Sequence, residues 1–239
     1  MLIKNKVIVL TKLKYRDNDL IVKCYTSKRG VVSYLIRNVL NSKKGRVKIA
    51  YFQPLSQLQI EEQYNPNRSL QSIKDIRLEF NYDSLHTNVL KSAIAMFLAE
   101  MLSSSLKEEE QNLALYDYLK TSFLVLDQEE EFSNFHLLFL FNLTKHLGFY
   151  PDESNIHFEY FNLSNGQFEL VKQNYYSVTG KNLEIIKQLL GINFDALHTI
   201  KLNSKQRQSF LNVLLLYYEL HLGTFKKPKS LEVFDQVFH

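Results

Sequence analysis

The spacing of apolar residues changes near residue 80, and this change limits the folds open to the chain more than any other feature of its sequence. Before it, short runs rich in Val, Ile, Leu and Tyr alternate with turn-forming residues, a pattern typical of β-strands. After it, apolar residues recur at spacings of three and four, as on one face of an α-helix. The sequence therefore predicts an α+β protein with a β domain at 1–80 and a mainly α-helical domain at 81–239.

Five strands are predicted in the first domain, at residues 3–13, 20–26, 31–36, 49–60 and 70–78. Turn-forming residues separate them, as at Asn65-Pro66-Asn67. Five short strands in about eighty residues fit a small closed barrel, and the OB-fold is the most common barrel of that size. An SH3-like barrel is the alternative.

The second domain is predicted to consist of helices interrupted by one hairpin. The first helix covers 85–102, with Asp83 or Ser84 as its N-cap. Around 157–172 the helical spacing is lost, and Asn165-Gly166 stands between two apolar runs. This dipeptide favours a β-hairpin with a type I′ turn. Further helices are predicted at 112–126, 133–147, 181–190, 204–222 and 230–238.

Charge is distributed very unevenly between the two domains. Residues 1–80 hold sixteen Lys and Arg against six Asp and Glu, a net charge of +10, whereas residues 81–239 carry a net charge of −6. Such a split indicates that the first domain binds a polyanion and the second does not.

A lysine- and arginine-rich segment between two predicted strands is the strongest candidate for that contact. Close cations on a loop follow a phosphate chain and release its counterions. The candidate residues are Lys43, Lys44, Arg46 and Lys48, extended by Arg37 and by Lys28 and Arg29. Aromatic side chains of the same domain could stack on bases, and the candidates are Tyr15, Tyr34, Tyr51 and Phe52.

A second basic patch is predicted in the helical domain, from Lys205, Arg207, Lys226, Lys227 and Lys229. These cations could bind an anionic partner. Lysines near helix ends also occur simply because they interact favourably with the helix dipole, which is the alternative.

Nothing in the sequence predicts an enzyme. The seven histidines show no metal-binding spacing, and no phosphate-binding glycine loop or nucleophile motif is present. Asp17 and Asp19 lie in one predicted turn, where carboxylates more often bond nearby backbone than hold a metal. The single cysteine, Cys24, excludes an intrachain disulfide and a cysteine-rich zinc site.

The order of several short segments resembles the RecO family of DNA repair and recombination proteins. The resemblance begins at residues 15–22, continues through Arg37 and the basic segment, and includes Gln53-Pro54-Leu55. In the helical domain it rests on residues 98–102, on 147–152, and on 217–223 followed by Lys229-Ser230. It spans essentially the whole chain.

The resemblance implies a non-enzymatic mediator that binds single- and double-stranded DNA and anneals complementary strands. It also implies cooperation with RecR and with the C-terminal tail of single-stranded DNA-binding protein in loading RecA. The second basic patch is then a candidate for DNA contact or for holding that acidic tail. No small-molecule substrate is implied. Many relatives carry two CxxC pairs that bind zinc, but residues 155–176 contain no cysteine. We therefore expect no metal or other cofactor, and a hairpin held by Phe158, Phe161 and Phe168.

Two alternatives remain at this stage. An OB-fold serves RNA as readily as DNA, so an RNA-binding module with a helical partner-binding domain is the main one. A metal-dependent nuclease using Asp17 and Asp19 is the other. With no apolar run long enough for a membrane span or a signal peptide, we expect a cytoplasmic protein, associated with the nucleoid.

Overall fold

A computed structural model describes residues 2–40, 49–106 and 111–238. The chain divides into two compact units, Met1–Gln128 with Pro228–Ser230, and Glu129–Lys227 with Leu231–His239. No helix in the described ranges is long and apolar enough to cross a membrane.

A closed barrel of five strands forms the start of the first unit, and this confirms the predicted OB-fold. The strands are β1 (Ile3–Tyr15), β2 (Asp19–Thr26), β3 (Gly30–Ile36), β4 (Gln57–Gln63) and β5 (Leu70–Leu78). They close in the order β1-β2-β3-β5-β4, with β3 and β5 parallel and the other neighbours antiparallel.

The barrel core follows from alternation along these strands. On β2, for example, Val22 and Cys24 are buried, whereas Ile21 before them and Lys23 between them are partly exposed. Burial raises the pKa of the Cys24 thiol far above its ordinary value, so the group stays neutral.

The predicted fourth strand at 49–60 is wrong in its first half. Ile49–Phe52 forms one turn of 3₁₀ helix, and β4 begins only at Gln57. Between them Leu55 has a φ of 64°, a left-handed conformation that no strand continues through. The apolar run is explained by burial instead, since Phe52 and Leu55 both lie in the interior.

Two helices complete the first unit, α1 (Val89–Ser105) and α2 (Leu113–Gln128). Both contact the barrel. Lys23 Nζ on β2 donates to the Ser103 carbonyl at 2.9 Å, and the rings of Tyr25 and Tyr116 stack with centroids 6.4 Å apart.

The predicted cap of α1 is wrong, and the cause lies in α2. Asn88 is the N-cap, accepting from Leu90 N and Lys91 N. Ser84 is instead held by Asp127 near the end of α2, whose carboxylate accepts from the backbone N–H groups of residues 83, 84 and 85.

The second unit contains the helices α3 (Phe135–Leu147), α4 (Gly180–Leu189), α5 (Ser204–His221) and α6 (Leu231–Phe238). A short sheet in the order β7-β6-β8 lies between α3 and α4 in sequence, formed by β6 (Tyr160–Asn162), β7 (Gln167–Glu169) and β8 (Ser177–Val178). The predicted hairpin is thus confirmed, with one added strand.

The turn of the hairpin differs from the predicted type I′ turn. Asn162 pairs with Gln167, so the loop has four residues, and of Asn165 and Gly166 only Gly166 has a positive φ. The Asn165 side chain instead accepts from Gln167 N at 3.1 Å. Asparagine commonly bonds its own backbone two residues onward in this way, which gives a different turn from the same dipeptide.

Aromatic rings anchor the hairpin to α5. Phe161 lies 5.0 Å from Phe168 and 5.9 Å from Tyr217, measured between ring centroids. The Tyr217 hydroxyl donates to the Phe149 carbonyl at 2.6 Å. Phe158, expected in the same cluster, contacts the His157 ring instead. Ring packing of this kind adds to the stabilisation that burial alone provides.

Candidate nucleic-acid interface

Three of the seven candidate residues in the barrel lie in the described part of the chain. They are Lys28 and Arg29, in the turn between β2 and β3, and Arg37, which directly follows β3. Lys43, Lys44, Arg46 and Lys48 lie outside the described residues, so their contact with nucleic acid stays a prediction.

Arg29 has a structural role that its sequence neighbourhood does not reveal. Its guanidinium forms an ion pair with the Glu62 carboxylate on β4 and lies 3.9 Å from the centroid of the Tyr64 ring. Lys28, by contrast, is exposed, and its ammonium donates to the Lys4 carbonyl at 2.7 Å. Lys28 therefore presents its charge to solvent more openly than Arg29 does.

Glu62 is a fully buried carboxylate with three donors. Its exposed fraction is 0%, and it accepts from Asn5 Nδ2, Arg29 Nη1 and the Tyr34 hydroxyl. A buried charge is tolerated only when it is paired and hydrogen-bonded in this manner. Burial, with the Glu62 charge nearby, raises the pKa of Tyr34 far above its ordinary value and keeps its hydroxyl a donor.

Three cations line one groove beside β3 and β5, which we call the β3–β5 groove. Its volume is about 280 Å³, and its charged lining consists of Arg37, Arg68 and Lys74. Arg68 belongs to the loop between β4 and β5. Lys74 lies at a β-bulge, where the pairing of β5 with β4 passes from Ile73 to Asp75. Bulges often redirect a side chain, and here Lys74 is exposed.

The loop that carries Arg68 is held by one buried amide. Gln71, almost fully buried, accepts from Asn65 N at 2.7 Å and donates to the carbonyls of Asn65 and Arg68. The Arg68 backbone is therefore fixed relative to β5.

Like the exposed Lys12, Lys14 and Lys28, the cations of the β3–β5 groove have no acidic partner among the described residues. In the described part of the chain none of the three forms an ion pair. On the face formed by β1, β4 and β5, Lys6 pairs with Glu79 and Arg77 pairs with Asp75. Positive charge is thus offset on one face and left uncompensated in the groove.

The sequence singled out Arg37 but missed Arg68 and Lys74. The parallel pairing of β3 with β5 brings them together, with Leu35 opposite Ser72. A parallel pair joins strands that are distant in sequence, so spacing alone does not reveal it. A weak signal was present, since Ser72 and Lys74 are polar residues at alternate positions of β5.

Two of the four aromatic candidates are wrong, because they lie in the core. Tyr34 and Phe52 are almost completely buried. Tyr51 is half-buried against the core, and Tyr15, also half-buried, lies under the Arg16 guanidinium at 5.2 Å. Aromatic residues in a small barrel fill its interior first.

The predicted second basic patch is not a single cluster. Lys205 lies in the first turn of α5, whereas Lys227 pairs with Glu219 near the other end of that helix, roughly 21 Å further along its axis. Arg207 is half-buried, donates to the Leu202 carbonyl at 2.7 Å, and has its pKa lowered by burial. Lys226 is exposed, and Lys229, also exposed, belongs to the other compact unit.

The acidic candidates do not form a metal site with neighbours that the structure describes. Asp19 accepts from Asn38 N at 2.9 Å, which joins the β1–β2 turn to the end of β3. Among residues 2–40, 49–106 and 111–238, no three His, Cys, Asp or Glu side chains gather around one point. The hairpin region likewise does not fit the zinc site of relatives, because phenylalanines occupy its interior and Cys24 is in the barrel core.

Comparison with known proteins covers the whole chain. Residues 1–82 match the family model for the recombination protein O N terminus, and residues 86–232 match that for its C terminus. The chain is similar to the DNA repair protein RecO of Christiangramia forsetii (46% identical), Flavobacterium psychrophilum (42%) and Bacteroides fragilis (38%), with 100% of both chains covered each time.

Proposed function

Because the chain belongs to the recombination protein O family of DNA repair proteins, we propose that it is a DNA-binding recombination mediator. In this proposal it binds single- and double-stranded DNA, anneals complementary strands, and helps load RecA together with RecR and single-stranded DNA-binding protein. The observation that carries the proposal is the uncompensated charge of Arg37, Arg68 and Lys74 in the β3–β5 groove.

Annealing of this kind needs charge rather than a catalytic group. Two complementary strands repel each other through their phosphates, and a cationic surface lowers that repulsion while raising the local concentration of both strands. The face of strands 2 and 3 with the adjoining loops is where OB-folds commonly bind oligonucleotides. The β3–β5 groove includes one of those loops through Arg68.

The proposal is tested by charge reversal in the groove. We expect Arg37→Glu with Lys74→Glu to weaken binding of a single-stranded oligonucleotide by about tenfold or more and to slow annealing. If the wild type neutralises about four phosphates, the log–log dependence of its affinity on salt has a slope near −3, and the double variant has a slope smaller by about 1.4. Fluorescence anisotropy over a salt series measures both.

A matched control has the same change of charge on another face of the barrel. Lys4→Glu with Arg77→Glu alters two exposed cations that lie beside Glu61 and Asp75. We expect this variant to keep most of the affinity and slope. Equal losses in both double variants would contradict a groove-specific contact, and strong preference for RNA of matched sequence would favour the RNA-binding alternative.

The basic segment outside the described residues requires its own variant. Reversal of Lys43, Lys44 and Arg46 to Glu is expected to abolish annealing and to leave the circular dichroism spectrum unchanged. Retained annealing would remove this segment from the proposed site.

We propose that the second unit binds the protein partners. Lys205 and Arg207 are the residues offered for the acidic C-terminal tail of single-stranded DNA-binding protein, since both lie at the N-terminal end of α5, where the helix dipole also favours negative charge. Annealing measured with RecR and the single-strand binding protein present examines this cooperation.

A further inference from the structure

The segment that follows β7 exposes large apolar side chains to an unusual extent. Leu170 and Val171 are each 63% exposed, Tyr175 is 98% exposed and Tyr176 is 40% exposed. Four such residues lie within seven positions of the chain, and we call them the apolar patch. Contiguous patches of this kind usually mark an interaction site.

Hydrogen bonds hold the tyrosines in this exposed arrangement. Tyr176 N donates to the Asn174 side chain at 2.8 Å, which closes a turn around Tyr175. The Tyr176 carbonyl accepts from Leu163 N at 3.0 Å, which ties the turn to the hairpin. An aromatic ring presented on a fixed backbone loses little conformational freedom when a ligand covers it.

The charge around the patch differs from that of the surrounding unit. Residues 170–176 contain no Asp or Glu and include Lys172, although residues 81–239 carry a net charge of −6. Lys181, further along the chain, is already paired with Glu184 at 2.8 Å. Lys172 is exposed and lies in the same segment as the four apolar residues. Exposed rings beside a lysine are a combination that binds unpaired bases and their phosphates.

We infer that Leu170–Tyr176 is a second contact for single-stranded nucleic acid, with the Tyr175 ring stacking on an unpaired base and Lys172 near the phosphates. This inference rests on the proposed DNA-binding function and adds a site in the second unit to it. Duplex DNA keeps its bases stacked inside, so the contact selects single strands.

The chain has no tryptophan, which makes a direct optical test possible. Tyr175→Trp introduces the sole indole, and oligo(dT) is expected to quench its emission over the same concentration range in which anisotropy reports binding. Tyr175→Ala is expected to weaken oligo(dT) binding roughly fivefold or more, and Tyr175→Phe to keep it, because stacking needs the ring and not the hydroxyl.

Val233→Trp is the control, because Val233 is an exposed apolar residue on α6 of the same unit. Its emission is expected to stay unchanged with oligo(dT). Unquenched Tyr175→Trp emission with wild-type binding intact would overturn this inference alone. If the Tyr175→Trp emission fell with rising protein concentration and did not respond to oligo(dT), the patch would bind a second copy of the chain. If the wild type did not bind oligo(dT), the proposed function would be overturned as well.

Discussion

The hairpin approaches α5 closely at Gly166, which lies against the hydroxyl group of Tyr217. Its φ is +70°, and a Cβ atom placed there would lie 2.7 Å from the Tyr217 hydroxyl oxygen. That hydroxyl is committed to the Phe149 carbonyl, and the Tyr217 ring contacts Phe149 and Phe161. The tyrosine therefore has little room to retreat, and the position requires glycine for space as well as for backbone conformation.

Gly166→Ala is expected to destabilise the protein more than Gly148→Ala. Both glycines have a positive φ, but a Cβ at Gly148 would meet nothing within 4 Å. The left-handed backbone costs each variant about 1 to 2 kcal/mol, and the contact with Tyr217 adds about 1 to 3 kcal/mol at Gly166 alone. Urea unfolding measures the difference, and equal losses in the two variants would contradict the close approach.

Among the single residues of the candidate site, some were predicted from the sequence and others were not. Arg37 was predicted because it stands near a basic segment. The pairing of Arg29 with Glu62 was not, because the two residues are 33 positions apart and meet only through barrel closure. Arg68 and Lys74 were missed for the same reason, since their proximity to Arg37 depends on the parallel pairing of β3 with β5.

At the scale of elements, Asp127 joins the end of α2 to the segment that precedes α1. Its carboxylate accepts from three consecutive backbone N–H groups, those of Asp83, Ser84 and Leu85. The Lys91 ammonium donates to the Ser84 hydroxyl and to the Asp127 carbonyl. Burial raises the pKa of the Asp127 carboxyl. The hydrogen bonds that its carboxylate accepts from residues 83–85 outweigh this effect and hold the pKa below its ordinary value.

Asp127→Asn is expected to lower the free energy of unfolding by about 2 kcal/mol at pH 7, since hydrogen bonds to a charged acceptor are lost. A carboxyl whose pKa is lowered by folding stabilises the protein above its ordinary value of 3.8 and loses that contribution as pH falls through the folded-state pKa. The difference between variant and wild type should therefore shrink below about pH 4. Asp117→Asn, at an exposed site on α2, is the control for urea unfolding at pH 7 and pH 3.

Most element positions were predicted well, and the failures share a cause. β5 was predicted at its observed bounds and α5 within one residue, because turn-forming residues bound the strand and a helical period runs through the helix. The N-cap of α1 was placed at residues 83–84 because cap chemistry is local, whereas Asp127 competes for that segment from 43 residues away. Local patterns predict elements, and contacts between distant elements decide their ends.

At the scale of the whole molecule, the barrel and the first two helices form one compact unit. The contacts that join them include the Lys23–Ser103 hydrogen bond, the Tyr25–Tyr116 stack and a hydrogen bond from Gln57 Nε2 to the Lys120 carbonyl at 3.1 Å. The predicted domain boundary at residue 80 stays a prediction, and these contacts provide a way to test it.

A fragment of residues 1–128 is expected to unfold cooperatively in urea, whereas a fragment of residues 1–80 is expected to unfold at a lower urea concentration and over a broader range. The shorter fragment exposes Tyr25 and leaves the buried Gln57 amide without its partners Lys120 and Tyr82. Circular dichroism with urea titration measures both transitions. Equal midpoints would show that the barrel is an independent domain ending near residue 80.

The buried carboxylate of Glu62 also has a consequence for how the barrel closes during folding. If β4 slipped by one residue against its neighbours, Leu58, Ile60 and Glu62 would all turn outward together. Asn5, Arg29 and Tyr34 would then face an interior that no longer offers the acceptor they share. A shifted register thus loses apolar burial and also leaves three hydrogen-bond donors without their acceptor. Both losses raise the free energy of a misaligned barrel above that of the native one.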